Sequence, residues 1–133
     1  MDRLFLDANV LFSAAYRADA GVYRLWQAGR TVLVTSTYAV EEARRNLKDP
    51  EQRTRLDTLL QPMEVVSSGS VAPNDRGEIR LPEKDWPILG GAVASGATHL
   101  ITGDARDFGA YFGRRLFGVL VLTPARYLRE RLG

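Results

Sequence analysis

Short apolar runs alternate along the chain with longer segments in which apolar residues recur at helical spacing. Continuous apolar or β-branched residues predict strands at residues 3–8, 31–35, 63–66, 99–102 and 119–122. Helical spacing, caps and breakers predict helices from Asn9, over residues 21–28, from Ser36 or Thr37, over residues 50–60, from Asp85, over residues 105–112 and over residues 124–132. Strands that alternate with helices predict βαβ units around a parallel sheet.

Residues 67–80 interrupt this alternation, since they hold two glycines, three serines and a proline without any period. This composition predicts a long surface loop. Elsewhere the chain shows no repeat, no low-complexity tract and no shift in composition that would mark a second domain. We therefore expect one α/β domain over residues 1–133, long enough to bury a sizeable core.

The composition excludes several classes of protein. No run approaches the roughly 18 apolar residues that cross a bilayer, and the early acids Asp2 and Asp7 argue against a secretory signal. The chain has no cysteine, which removes disulfides and thiolate metal sites. Glycine-rich phosphate loops and a Gly-x-Ser-x-Gly nucleophile are also absent from the sequence. We expect a cytoplasmic protein with no membrane segment.

Acidic residues stand at predicted strand ends and helix starts. Asp7 follows the first strand, and Asp104 and Asp107 follow the strand at 99–102 through a Thr-Gly turn. Asp85 begins a helix, and Glu42 lies on the flank of the apolar stripe of another. Ligands of parallel sheets bind in the crevice outside the carboxyl ends of the strands. We therefore expect these acids to meet in one crevice.

Each acid alone has an ordinary structural explanation, as a turn former, a helix N-cap or a first-turn acid. Together, their like charges would raise one another's pKa values and destabilise the fold. A divalent cation resolves this conflict. Oxygen ligands without cysteine favour Mg²⁺ or Mn²⁺ over zinc, and we assign the single histidine, His99, to packing at the start of its strand.

The net charge of +2 does not by itself predict a nucleic-acid partner. If the five acids face one pocket, the rest of the chain carries 18 basic against 11 acidic residues, a net charge of +7. Such a body suits a polyanion that is handled through metal ions. Of the 18 basic residues only Lys48 and Lys84 are lysine, and the others are arginine. Arginine suits phosphate recognition, but a GC-rich genome also favours arginine over lysine.

Four segments, taken in order, resemble the PIN domain family: Phe5-Leu6-Asp7-Ala8-Asn9-Val10-Leu11, Ser36 with Glu42, Asp85-x-x-Ile88-Leu89-x-x-Ala92, and Leu100-Ile101-Thr102-Gly103-Asp104-x-x-Asp107-Phe108. Within that family the resemblance is to VapC-like toxins of bacterial and archaeal toxin–antitoxin systems. It implies a three-layer α/β/α sandwich around a parallel sheet. It also implies a metal-dependent ribonuclease whose products carry 5′-phosphate and 3′-hydroxyl ends.

Carried over by position, the resemblance implies catalytic roles for four acids: Asp7, Glu42, Asp85 and Asp104. Asp7, Asp85 and Asp104 would hold one or two Mg²⁺ or Mn²⁺ ions, with Asp107 as an extra acid. Thr102 would brace a carboxylate or a water, with Asn9 as a second supporting residue. Five arginines are candidates for tracking the RNA backbone: Arg44, Arg45, Arg106, Arg114 and Arg115.

The implied partners are an RNA substrate, a cognate antitoxin and a second copy of the chain. Two alternatives stay open: a housekeeping PIN nuclease in RNA processing, and a non-catalytic RNA-binding or partner-binding module whose acids only structure the fold. Phosphotransfer on an aspartate is disfavoured. Asn9 stands where a haloacid-dehalogenase-like Asp-x-Asp needs its second acid, and no lysine follows Lys84, as a receiver domain would require.

Overall fold

The structure is a computed structural model that describes the backbone of residues 1–132 and the side chains of residues 1–131. Within these residues the strands are β1 (Asp2–Leu6), β2 (Thr31–Ser36), β3 (Glu64–Val66), β4 (His99–Ile101), β5 (Arg115–Leu116) and β6 (Val119–Leu122). The helices are α1 (Ala8–Tyr16), α2 (Arg24–Gln27), α3 (Thr37–Asn46), α4 (Pro50–Leu60), α5 (Trp86–Ala94), α6 (Ala105–Phe108) and α7 (Pro124–Leu132). Gly133, the last residue of the expected domain, lies outside the described residues. None of the described helices combines the length and the apolar character needed to cross a membrane.

The sheet has the strand order β3-β2-β1-β4-β6-β5, and every pairing is parallel except that of β5 with β6. From β1 the chain builds β2 and β3 on one side, and then β4, β6 and β5 on the other. The order therefore reverses between β1 and β4, and the crevice at such a switch point is where open α/β sheets bind ligands. Helices cover both faces, which confirms the predicted α/β/α sandwich.

Two glycines allow α5 to pack closely against the sheet and the long loop. A Cβ atom on Gly91 would lie 3.0 Å from the Phe5 ring, and one on Gly90 would lie 2.3 Å from the Cα of Ser70. The two glycines thus let α5 approach β1 on one side and the loop at 67–80 on the other. The sequence predicts a core face of Ile88, Leu89, Ala92 and Val93 for this helix. The prediction is wrong for Val93, whose side chain is exposed, while both glycines are buried.

Several element boundaries differ from those predicted. The first strand ends at Leu6 because the side chain of Asp7 caps α1. The helix expected over residues 105–112 is α6 followed by a 3₁₀ turn at Gly109–Tyr111. Strand β5 was not predicted; it pairs antiparallel with β6 through a tight turn at Phe117 and Gly118, whose φ angles are 52° and 83°. Such turns favour Asn-Gly, so a phenylalanine in the first position hid the hairpin.

Candidate metal centre at the strand ends

Asp7 stands at the junction of β1 and α1, where it serves both elements. Its backbone N–H donates to the carbonyl of Ile101 on β4 (3.0 Å), which continues the ladder between the two strands. Its Oδ1 accepts from the N–H of Ala8 (2.6 Å) and so caps α1. The residue is only 4% exposed. The ordinary explanation as a helix cap therefore holds, but a cap does not need this burial.

Thr102 and Asn9 connect the ends of β1 and β4. The Thr102 hydroxyl donates to Oδ2 of Asp7 (2.8 Å) and accepts from the N–H of Asp104 (3.1 Å). Asn9 donates through Nδ2 to Oδ2 of Asp7 (3.1 Å), while its Oδ1 accepts from the N–H of Gly103 (2.8 Å). A carboxylate offers about four lone-pair positions, so Asp7 retains room for another ligand. Both supporting residues predicted from the sequence thus contact the acids.

Asp104 begins α6 in the same way that Asp7 begins α1. Its Oδ1 accepts from the N–H of Asp107 (3.0 Å), which caps the short helix. The turn directs Asp104 into the crevice next to β1, and Asp107 follows three residues later on the first turn. The expectation that Asp107 is an ordinary first-turn acid is therefore incomplete, because the cap brings its side chain beside Asp104.

Asp85 does not behave as the helix cap that its position suggests. It holds the N-cap position of α5, but its side chain makes no capping hydrogen bond. The residue is nevertheless only 5% exposed. Asp7 and Asp85 are the buried carboxylates of the described chain. A buried acid with no capping role calls for another explanation.

Three of the predicted ligands lie together: each of Asp85, Asp104 and Asp107 offers a carboxylate oxygen, and these oxygens lie within 4.8 Å of one another. We call them the carboxylate cluster. Asp7 is outside this distance, but it lines a pocket of about 430 Å³ together with Asp85 and Asp104. Glu42 of α3 lines the same pocket and is half-buried, whereas its neighbour Glu41 is exposed. The structure thus brings four of the five predicted acids to one pocket, and the fifth, Asp107, lies beside Asp85 and Asp104.

Burial makes two of the acids, Asp7 and Asp85, costly to ionise. Burial raises the pKa of Asp7 from 3.8 to about 6, against the opposing effect of its bonds to Thr102 and Ala8. Burial, and then a hydrogen bond with Asp107, raises the pKa of Asp85. The same bond, together with Lys84, lowers the pKa of Asp107. Of these two neighbouring acids, Asp85 is therefore the harder to ionise.

Lys84 is a member of this site that sequence reasoning missed. Its ammonium lies 3.0 Å from Oδ2 of Asp107 and 3.5 Å from Oδ2 of Asp85. The hydrogen bond to Asp107 raises the pKa of Lys84, so the side chain stays charged. Its position directly before Asp85, in a chain with two lysines, was the available signal. Asn46, one helical turn after Glu42, also lines the pocket.

The five candidate RNA-binding arginines lie in different settings. Arg45 and Arg106 are exposed, and Arg106 stands between the two acids of α6. Arg44 forms an ion pair with Asp57 (2.9 Å), and the guanidinium of Arg114 lies 5.6 Å from the centre of the Tyr111 ring. Arg115 lies on β5 in register with Leu120 and His99, at the amino end of β4. Arg115 is therefore remote from the strand ends that hold the acids.

Comparison with known protein families shows to which family this chain belongs. A family model described as PIN domain matches residues 3–106. The chain belongs to the PIN domain family. The matched region contains Asp7, Glu42, Asp85 and Asp104, and Asp107 follows directly after it. The resemblance drawn from the ordered acids is thus confirmed. No curated protein matches the chain by sequence.

The fold of this PIN domain is similar to that of a solved relative. It matches a chain in the crystal structure of VapBC2 from Rickettsia felis bound to a DNA fragment from their promoter, with a TM-score of 0.67 and 16% sequence identity. The match covers 91% of this chain and 98% of that chain. At this identity the likeness shows the fold.

Proposed function

We propose that this PIN domain protein is a Mg²⁺- or Mn²⁺-dependent endoribonuclease. The observation that carries the proposal is the carboxylate cluster, which lies at the switch point of a parallel sheet with Asp7 beside it. Membership of a family whose members are generally nucleases supports the reaction class.

The donor set fits a hard divalent cation. The cluster offers carboxylate oxygens, which Mg²⁺ and Mn²⁺ prefer, and the described chain places no histidine beside it. Burying ionised carboxylates without a counter-charge is unfavourable. A bound cation would offset the burial and the smaller charge repulsion that raise the pKa values of Asp7 and Asp85. The residues present therefore fit the ion that the family implies.

Each acid has a distinct task in this proposal. Asp85, Asp104 and Asp107 would hold the metal, and Asp7, fixed by Thr102 and Ala8, would complete its ligands. A divalent ion at such a site lowers the pKa of a bound water and stabilises the charge that develops on the phosphate. Glu42 faces the pocket from α3 and would accept a hydrogen bond from the attacking water, which orients it. Cleavage would leave 5′-phosphate and 3′-hydroxyl ends.

The biological role that we favour is that of a toxin in a type II toxin–antitoxin pair. The similarity to the VapBC2 complex supports an antitoxin partner. The same fold also suits a housekeeping RNA-processing nuclease. A small DNA-binding protein encoded immediately upstream, which binds this chain and suppresses RNA cleavage, would support the toxin role. A second copy of the chain is a further proposed partner.

The reaction is tested by incubating the purified protein with a structured RNA and Mg²⁺, with and without EDTA. We expect cleavage that EDTA abolishes and added Mn²⁺ restores. Asp104→Asn should reduce the cleavage rate at least about 100-fold, because a metal contributes several kcal/mol to the transition state and 1.4 kcal/mol is a factor of ten. Asparagine is as good an N-cap as aspartate, so α6 should persist.

Asp49→Asn is the matched control, since Asp49 caps α4 through its side chain (2.8 Å to the N–H of Glu51) but lies outside the pocket. It should cleave RNA at the wild-type rate. Cleavage that survives EDTA, or an Asp104→Asn protein as fast as the control, would contradict the proposal. Stoichiometric binding of RNA without cleavage would favour the non-catalytic module.

A further inference from the structure

The ammonium of Lys84 bridges two sides of the carboxylate cluster. Lys84 belongs to the 3₁₀ turn before α5, and its Nζ reaches Asp107 on α6 at 3.0 Å as well as the adjacent Asp85 at 3.5 Å. Among the described residues that line the pocket, it is the one with a positive charge. The ammonium of Lys84 therefore lies between Asp85, at the start of α5, and Asp107 on α6.

The backbone and the side chain of Lys84 differ in how firmly they are held. The Tyr38 hydroxyl donates to the Lys84 carbonyl (2.8 Å), which ties this turn to α3. The Lys84 side chain, in contrast, is 61% exposed, whereas those of Asp85 and Asp107 are 7% and 12% exposed. The carboxylates are thus fixed in a sheltered place, and the cation that faces them stands on a flexible arm open to solvent.

We propose that Lys84 is a displaceable internal cation, which occupies the carboxylate cluster in the metal-free protein and leaves when a divalent ion binds. This inference rests on the proposed function, because it takes the cluster to be the metal site. An ammonium and a divalent ion that both lie within contact distance of these two carboxylates repel each other strongly. Lys84 therefore lowers metal affinity and, at the same time, stabilises the empty site.

Competition of this kind has a defined sign. The contacts of Lys84 stabilise the metal-free state, so they weaken the binding of any metal ion that has to break them. An ammonium shared by two sheltered carboxylates interacts with them more strongly than the partners of an ordinary exposed ion pair interact with each other. Removing the ammonium should therefore tighten metal binding by about 5- to 20-fold. A lysine that merely positioned the acids would have the opposite effect, since its loss would disorder the ligands.

The test is titration of the intact protein with Mn²⁺ by calorimetry, in wild type and Lys84→Gln. We expect the variant to bind Mn²⁺ about 5- to 20-fold more tightly. Its metal-free form should melt at a lower temperature than the wild type, and its melting temperature should rise more when Mn²⁺ is added. RNA cleavage should reach half its maximal rate at a lower Mn²⁺ concentration.

Lys48→Gln is the matched control, because Lys48 is the other lysine and donates to the Arg45 carbonyl away from the cluster. It removes the same charge and should leave the Mn²⁺ dissociation constant within twofold of wild type. Equal or weaker Mn²⁺ binding by Lys84→Gln would overturn this inference and leave the proposed function standing. Failure of both wild type and Lys84→Gln to bind Mn²⁺ would overturn both.

Discussion

Replacing Asp85 with asparagine should make the metal-free protein more stable and make RNA cleavage much slower. The carboxylate is 5% exposed and caps nothing, and burial and Asp107 oppose its ionisation. At pH 8 the Asn side chain removes that unfavourable charge, and Lys84 retains its contact with Asp107. We expect a gain of about 1–2 kcal/mol in the free energy of unfolding. Loss of a metal ligand should lower the cleavage rate about 100- to 1000-fold.

Urea unfolding in EDTA and RNA cleavage in Mg²⁺ measure the two effects on the same preparation. Asp75→Asn is the matched control, since Asp75 is exposed in the loop at 67–80. It should change the free energy of unfolding by less than about 0.5 kcal/mol and leave cleavage unchanged. If Asp85→Asn were instead destabilised in the metal-free state, Asp85 would be a structural residue.

Raising the pH should destabilise the metal-free protein through Asp7. The pKa of Asp7 is about 6 in the fold, against 3.8 for an unperturbed aspartate, because of burial. Below about pH 4 the group is protonated in both states. Between 3.8 and 6 the folded protein binds the proton more tightly, so the free energy of unfolding falls as the pH rises. Above about pH 6 the loss is complete, at about 3 kcal/mol.

The measurement is the difference in the free energy of unfolding between wild type and Asp7→Asn, in EDTA, from pH 4 to pH 7. The other titrating groups largely cancel in this difference, and the amide can still accept the capping bond from Ala8. Over this range wild type should lose about 2 to 2.5 kcal/mol relative to the variant, because part of the full loss already occurs below pH 4. Saturating Mn²⁺ should remove most of that loss, because the metal binds the ionised acid. If the free energies of unfolding of wild type and Asp7→Asn changed in parallel with pH, the raised pKa of Asp7 would be contradicted.

The sequence predicted the architecture well because each strand was a distinct apolar run and each helix had a cap or a breaker. Ser36 and Thr123, for example, accept hydrogen bonds from the N–H groups of Ala39 and Arg126, as N-caps should. The strand order was not predictable in the same way. It depends on which runs pair, and nothing local in Leu4–Leu6 indicates that β4 rather than β3 lies beside β1.

The acids were predictable because strand ends gather at one edge of a parallel sheet. The sequence could not predict which of the acids lie closest together. Asp107 joins the carboxylate cluster because its N–H donates to Asp104, whereas Asp7 lies beside the cluster. Lys84 was not predictable in this way, because strand ends indicate where acids gather and not which positive charge balances them. The positions of the arginines relative to the acids could not be predicted. Arg115, for example, lies on the β5–β6 hairpin, which the sequence did not predict.

The central claim is that the carboxylate cluster holds a divalent cation, and anomalous diffraction from crystals soaked in Mn²⁺ tests it most directly. We predict one or two peaks among Asp85, Asp104 and Asp107, with carboxylate oxygens about 2.0–2.3 Å from the ion. The ammonium of Lys84 should lie farther from Asp107 than its present 3.0 Å. A crystal soaked in saturating Mn²⁺ that shows no anomalous peak in the pocket, and in which Lys84 still bridges Asp85 and Asp107, would contradict the claim.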